Sequence, residues 1–147
     1  MRLLGRNGAM SMFHVGEVSH RLGLNPQTLY FYERVGLIPP PQRTEAGYRL
    51  FRQQDMERIA FIVRAKSLGL SLDEIKGILA LKDGRSLTCK VVYERLNQKV
   101  QDIEEKIRQL RSLQNELVPL LEQCHININH PDPTHQCVAL EQEIKDF

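Results

Sequence analysis

The sequence has no tryptophan, only three cysteines in 147 residues, and no apolar run of more than a few residues. Each shortage excludes something. A membrane-spanning helix needs roughly 20 consecutive apolar residues, and stretches such as Ala60 to Val63 fall far short, so no membrane partner is expected. An odd cysteine count makes a poor disulfide framework, and the opening residues Met1 to Ala9 lack the apolar block of a secretory signal. A reducing cytoplasm is therefore the expected address, where thiols are metal ligands or reactive groups before they are cross-links. Net charge is also small, at +2. That sum conceals an asymmetry: residues 1–85 hold 13 Lys and Arg against 8 Asp and Glu, net +5, and residues 86–147 hold 7 against 10, net −3. The two halves have different jobs.

What is present is mostly helical periodicity, in a chain long enough for one small domain with an elongated appendage. Val15, Val18 and Leu22 share one helical face, Gly23 stops that helix, and Asn25-Pro26 restarts it as cap and first residue, with Leu29 and Tyr32 following. Two short helices about a glycine-containing turn predict a helix-turn-helix. Leu37 to Pro41 cannot be helical, and Glu45-Ala46-Gly47 reads as a tight turn before an extended Tyr48 to Phe51, a small hairpin or wing. A second helical pair follows, its second member opened by the capping box Ser71-Leu72-Asp73-Glu74.

Leu96, Val100, Ile103, Ile107, Leu110, Gln114, Leu117 and Leu121 then alternate steps of four and three. A seam of that 3.5-residue period needs a partner helix, and no second helix of that length exists in the chain, so a homodimer is expected. Pro119 should kink or loosen the last turn before Cys124. Cys89 and Cys124 lie 35 residues apart at the two ends of this helix, about 52 Å at 1.5 Å per residue, too far to share a ligand within one chain. The midpoint of 89 and 124 and the midpoint of the seam from 96 to 117 coincide at 106.5. Two such helices paired antiparallel would bring Cys89 of one subunit beside Cys124 of the other. A parallel pair would instead set Cys89 beside Cys89. From Cys124 to Cys137 runs a polar loop with two cysteines, three histidines and two prolines. Sulfur and imidazole suit zinc, cadmium, mercury or lead and not magnesium or calcium.

Val15-Gly16-Glu17-Val18, Thr28 to Glu33, Gly36-Leu37-Ile38-Pro39, Gly47-Tyr48-Arg49 and Leu68 to Ile75 together resemble the MerR family of transcription regulators, from about Phe13 to the end of the seam. The resemblance implies a mainly α fold: a winged helix-turn-helix DNA-binding domain, then a long antiparallel coiled-coil dimerisation helix and a short metal-binding loop. It implies the divalent-metal branch, with Cys89, Cys124 and Cys137 as ligands, His125 and His130 as further ones, and zinc, mercury, cadmium or lead as the ion. It also implies a homodimer on double-stranded promoter DNA, acting with RNA polymerase, that represses without metal and distorts the DNA into a transcribable shape with it. The expected organisation is a disordered extension at 1–12, the DNA-binding domain at 13–82, a hinge at 83–87, the dimerisation helix at 88–123, and the metal-binding loop with a short C-terminal helix at 124–147.

For DNA, the helix Pro26 to Arg34 offers Gln27, Thr28 and Tyr30 as candidates for the groove, and the match of Tyr48 and Arg49 to the family's Gly-Tyr-Arg implies that they grip the backbone beside Arg43. Tyr30 stands where the family usually has a DNA-contacting arginine. Tyr32 is divided between core and DNA, and Phe51 is core. Zinc is preferred to mercury because imidazole adds affinity for zinc. Two rivals remain in view. A thiol redox sensor would close Cys124 and Cys137 into a disulfide, whereas a Cys-His enzyme built on Cys124-His125 lacks an orienting third group and an oxyanion site. No enzyme is expected.

Overall fold

In the computed structural model, which describes residues 11–141, the chain divides between Thr88 and Cys89 into two units. In the first, strand β1 (Met12–His14) leads directly into helix α1 (Val15–Leu22). The His14 amide donates to Glu17 Oε1 at 3.1 Å. Gly23 closes the helix at φ 65°, a left-handed backbone that glycine adopts without a Cβ penalty. Asn25 Oδ1 accepts the Gln27 amide at 2.8 Å, and Pro26 begins helix α2 (Pro26–Arg34). The helix-turn-helix forms where these stop and start signals predict it.

Strands β2 (Gln42–Arg43) and β3 (Arg49–Arg52) form the wing, followed by helices α3 (Gln53–Ser67) and α4 (Leu72–Asp83). The start of α3 repeats the device of α1, with the Arg52 amide donating to Asp55 Oδ2 at 2.8 Å. At α4 the capping box closes in both directions, Ser71 N to Glu74 Oε1 at 2.7 Å and Glu74 N to Ser71 Oγ at 3.1 Å. Val18, Leu29, Leu37, Phe51, Ile59, Ile62, Ile75 and Leu79 form the buried core, joined by Tyr32. Tyr32 is a core residue, 5% exposed, and burial pushes its phenol above the ordinary value.

Three expectations change. The wing is not a two-stranded hairpin: β1 pairs antiparallel with β3, Phe13 opposite Phe51, in a sheet of order β1-β3-β2. The extension expected at 1–12 lies outside the described residues up to Met10, and Met12 belongs to this sheet. The hinge expected at 83–87 is anchored at both ends, since Asp83 closes α4 and Leu87 packs on the core.

The second unit is dominated by α5 (Cys89–Ile128), 40 residues with none buried. Leu96, Val100, Ile103, Ile107, Leu110, Leu117 and Leu121 all stand exposed along it. Pro119 lies inside this helix without ending it, because a proline removes one backbone donor and the following residues still bond back. The loop expected from residue 124 therefore starts later, after Ile128. The described residues from there to Glu141 are turn and irregular backbone. A C-terminal helix, if placed at 142–147, lies outside the described residues.

Candidate nucleic-acid interface and thiol site

The DNA-binding candidates come from two elements. Asn25 caps α2 and so sets Gln27, which is exposed, on its first turn beside the half-buried Thr28, and Tyr30 follows. On the wing, Gly47 takes φ 91° in the turn, the Tyr48 amide donates to Thr44 Oγ1 at 3.0 Å, and Arg43 Nη1 donates to the Gly47 carbonyl at 2.8 Å. Tyr48 is left 69% exposed at the wing tip.

Arg43 and Arg49 are direct cross-strand partners. Like charges directly opposite on one face of a sheet are destabilising, and here the Glu33 carboxylate beside Arg49 offsets the repulsion. Arg49 is steadied from two sides. Its Nε donates to Glu33 Oε1 at 2.7 Å, and its guanidinium carbon lies 4.3 Å from the centre of the Tyr30 ring. Glu33 is a member of this interface that the sequence did not disclose, although its position one helical turn from Tyr30 put it on the same face of α2. A groove of about 260 Å³ is lined by His14, Val15, Gly16, Tyr30, Gly47, Tyr48 and Arg49. Thus Tyr30, Tyr48 and Arg49 come together, Arg43 adjoins them through the strand pairing, and Gln27 and Thr28 line no part of this groove.

The thiols are divided in space. Cys89 is the first residue of α5, exposed, and Cys124 lies near its end. Cys124 Sγ and Cys137 Sγ approach to 3.5 Å, and Cys137 Sγ also accepts the Ala139 amide at 3.4 Å. The hydrogen bond shared with Cys137 holds the Cys124 proton and pushes its thiol above the ordinary value, with a smaller push from lost solvation and from the Cys137 charge. Among the described residues no third His, Cys, Asp or Glu joins these two sulfurs in a metal-binding group.

The histidines do something else. His125 lies on the last turn of α5. His130 stacks on His135 with ring centres 3.9 Å apart and planes 6° from parallel, and its Nδ1 accepts the Asp132 amide at 3.0 Å. A neutral imidazole that accepts at Nδ1 carries its proton on Nε2, so in this arrangement His130 presents no open lone pair to a metal. Asp132 Oδ1 in turn accepts from the Thr134 amide at 2.9 Å and hydroxyl at 2.7 Å, which holds the carboxyl below its ordinary value. His135, one of the three loop histidines, is His130's stacking partner.

A family model described as MerR HTH family regulatory protein matches residues 13–82, and one described as MerR, DNA binding matches 56–120. An uncharacterized HTH-type transcriptional regulator of Synechocystis is 40% identical, covering 90% of this chain and 97% of that one. The mercuric resistance operon regulatory protein of Bacillus cereus is 37% identical over 90% and 98% of the two chains. The transcriptional regulator ZntR of Escherichia coli is 32% identical over 77% and 81%. Among solved structures, the transcription regulator PbrR691 of Ralstonia metallidurans in complex with lead(II) aligns with TM-score 0.68 at 32% identity, over 76% of this chain and 87% of that one. These relatives are transcription regulators, not enzymes.

Proposed function

The chain belongs to the MerR family of helix-turn-helix regulatory proteins, with a relative named as a mercuric resistance operon regulatory protein, another named ZntR and a lead-bound structural neighbour, and we propose that it represses or activates a metal-resistance promoter in response to a divalent thiophilic ion, zinc foremost. The observation that carries this reading is the close pair Cys124 and Cys137 at one end of a helix that begins with Cys89 and bears an exposed apolar seam. Two sulfurs 2.3 Å from a tetrahedral zinc stand about 3.8 Å apart, and 3.5 Å needs little adjustment. The third thiolate comes from Cys89 of a second subunit, because an antiparallel pairing of α5 buries the seam and superposes residues 89 and 124. His125, on the turn that carries Cys124, is the nearer fourth donor in sequence; His130 would first have to leave its Asp132 and His135 contacts.

The ion, when bound, supplies a cross-link between subunits. The protein supplies the rest: α2 and the wing hold DNA through Gln27, Thr28, Arg43, Tyr48 and Arg49, with Tyr30 packed against Arg49, and the seam fixes the spacing of the two DNA-binding units. A small change in their relative pose unwinds or bends the intervening duplex at a modest elastic cost, which alters how RNA polymerase engages the promoter. A second reading, a thiol redox sensor, draws on the same 3.5 Å approach of two free thiols. A reporter promoter titrated with zinc, cadmium, lead and mercury salts in cells carrying the unsubstituted chain or Cys89→Ser distinguishes them. Cys89→Ser is expected to keep DNA binding and lose induction by every metal. Undiminished metal induction in that variant contradicts the bridged site, and induction by peroxide alone in the unsubstituted chain favours the redox reading.

A further inference from the structure

Tyr30 has a hydroxyl that invites a direct role at the DNA, yet the structure gives its ring a different use. The ring lies 4.3 Å beneath the Arg49 guanidinium carbon, and Glu33, one turn further along α2, takes Arg49 Nε at 2.7 Å. An arginine side chain on a wing strand ordinarily samples many rotamers, and ordering it costs conformational entropy. Here a flat π face and a carboxylate, both on one helix, define its height, its tilt and its rotation. Arg49 is accordingly only 24% exposed in its side chain, and Glu33 19%. Guanidinium has five N–H donors. The Nε donor is committed to Glu33, and the terminal nitrogens have no partner among the described residues. The carboxylate repels an anion from the Nε edge, which directs a phosphate to the terminal edge, on the groove shared with Tyr48, Gly47 and His14.

We propose that Tyr30 is a positioning residue for DNA recognition, whose ring together with the Glu33 carboxylate presets the Arg49 guanidinium to take one phosphate on its terminal nitrogens. The inference rests on the DNA-binding reading and deepens it. It places the contribution of Tyr30 in the aromatic face and not in the hydroxyl, and makes that contribution conditional on Arg49.

The test is a double-mutant cycle on the full chain, with a duplex enriched by repeated selection on the unsubstituted protein, read as affinity against salt concentration. Tyr30→Phe keeps the ring and is expected to bind within about twofold of the parent. Tyr30→Leu removes the π face without changing charge and is expected to weaken binding by roughly three- to tenfold. Arg49→Ala is expected to lower the salt slope by about 0.9, one phosphate contact. In the Arg49→Ala background Tyr30→Leu is expected to cost nothing further. Glu33→Ala supplies an independent arm should Tyr30→Leu fold poorly: binding is expected to weaken although a negative charge beside the DNA has been removed. Equal losses for Tyr30→Phe and Tyr30→Leu would assign the role to the hydroxyl and overturn the proposal. Additive losses for Tyr30 and Arg49, or tighter binding by Glu33→Ala, would overturn it too. A parent chain that enriches no duplex at all overturns the DNA-binding reading itself, and the inference with it.

Discussion

Arg58 joins three parts of the N-terminal unit through one side chain. From α3 its Nε donates to the Leu37 carbonyl at 2.8 Å and its Nη1 to Asp83 Oδ1, at the end of α4, at 2.7 Å. Arg58→Ala leaves the Leu37 carbonyl short of a donor and is expected to cost about 1–3 kcal/mol in a urea melt. The hydrogen bond from Arg58 also holds the Asp83 carboxyl below its ordinary value. A depressed acid stabilises the fold above its unfolded value and loses that contribution as pH falls through the folded one. Asp83→Asn is therefore expected to flatten the loss of stability below about pH 4; the exposed position keeps the effect small. At the thiol pair the sign is reversed. Cys124 holds its proton above the ordinary value, and a metal must displace that proton. Zinc affinity measured against a competing chelator is expected to rise with pH through the neutral range, and more gently in Cys137→Ser, where one fewer thiol proton is displaced. Residue type and order were enough to mark Cys124 and Cys137 as a pair. They could not show that His130 faces His135, because that contact depends on how residues 129–135 fold back, and no periodicity encodes it.

The legible elements are those with chemical punctuation: Gly23 after α1, Asn25-Pro26 before α2, and Ser71 with Glu74 before α4. Strand β1 was illegible because three residues carry no pattern, and its partners at 50–52 lie far along the chain. The end of α5 was misjudged for the opposite reason. Pro119 and a polar Cys-His sequence resemble a stop, whereas the helix loses one donor there and continues to Ile128. The turn after α4 is subtler. Gly84 has φ −83°, and the positive φ of 58° falls on Arg85. The Ser86 amide reaches back to the Leu81 carbonyl at 2.8 Å and the Arg85 amide to Lys82 at 3.1 Å, the pattern that usually has glycine at this site. Arg85→Gly is expected to relieve this strain and raise stability by up to about 1 kcal/mol, seen as a higher thermal midpoint. At the apolar seam, the proposed dimer predicts that the unsubstituted chain sediments as a dimer and Ile103→Asp as a monomer, with the N-terminal unit still folded because Ile103 belongs to α5 and not to that unit.

The whole molecule joins a basic N-terminal unit, net +5 over residues 1–85, to a helix of balanced charge, six Lys and Arg against six Asp and Glu over residues 89–128, whose apolar face stays exposed in a single chain. One chain holds two thiols together and keeps the third at the far end of 40 helical residues. The central claim is that the metal site is completed only between subunits, and mixing two defective chains tests it most directly. A chain with Cys89→Ser and a chain with Cys124→Ser and Cys137→Ser are each expected to form homodimers without a complete site. Their heterodimer, paired antiparallel, regains one: Cys89 of the second chain beside Cys124 and Cys137 of the first. Zinc bound per dimer, measured by chelator competition after co-expression and purification through two different tags, is expected to be about none for either homodimer and one for the heterodimer. A heterodimer that binds no more zinc than the homodimers, or a Cys89→Ser homodimer that binds zinc as tightly as the unsubstituted protein, would contradict the account.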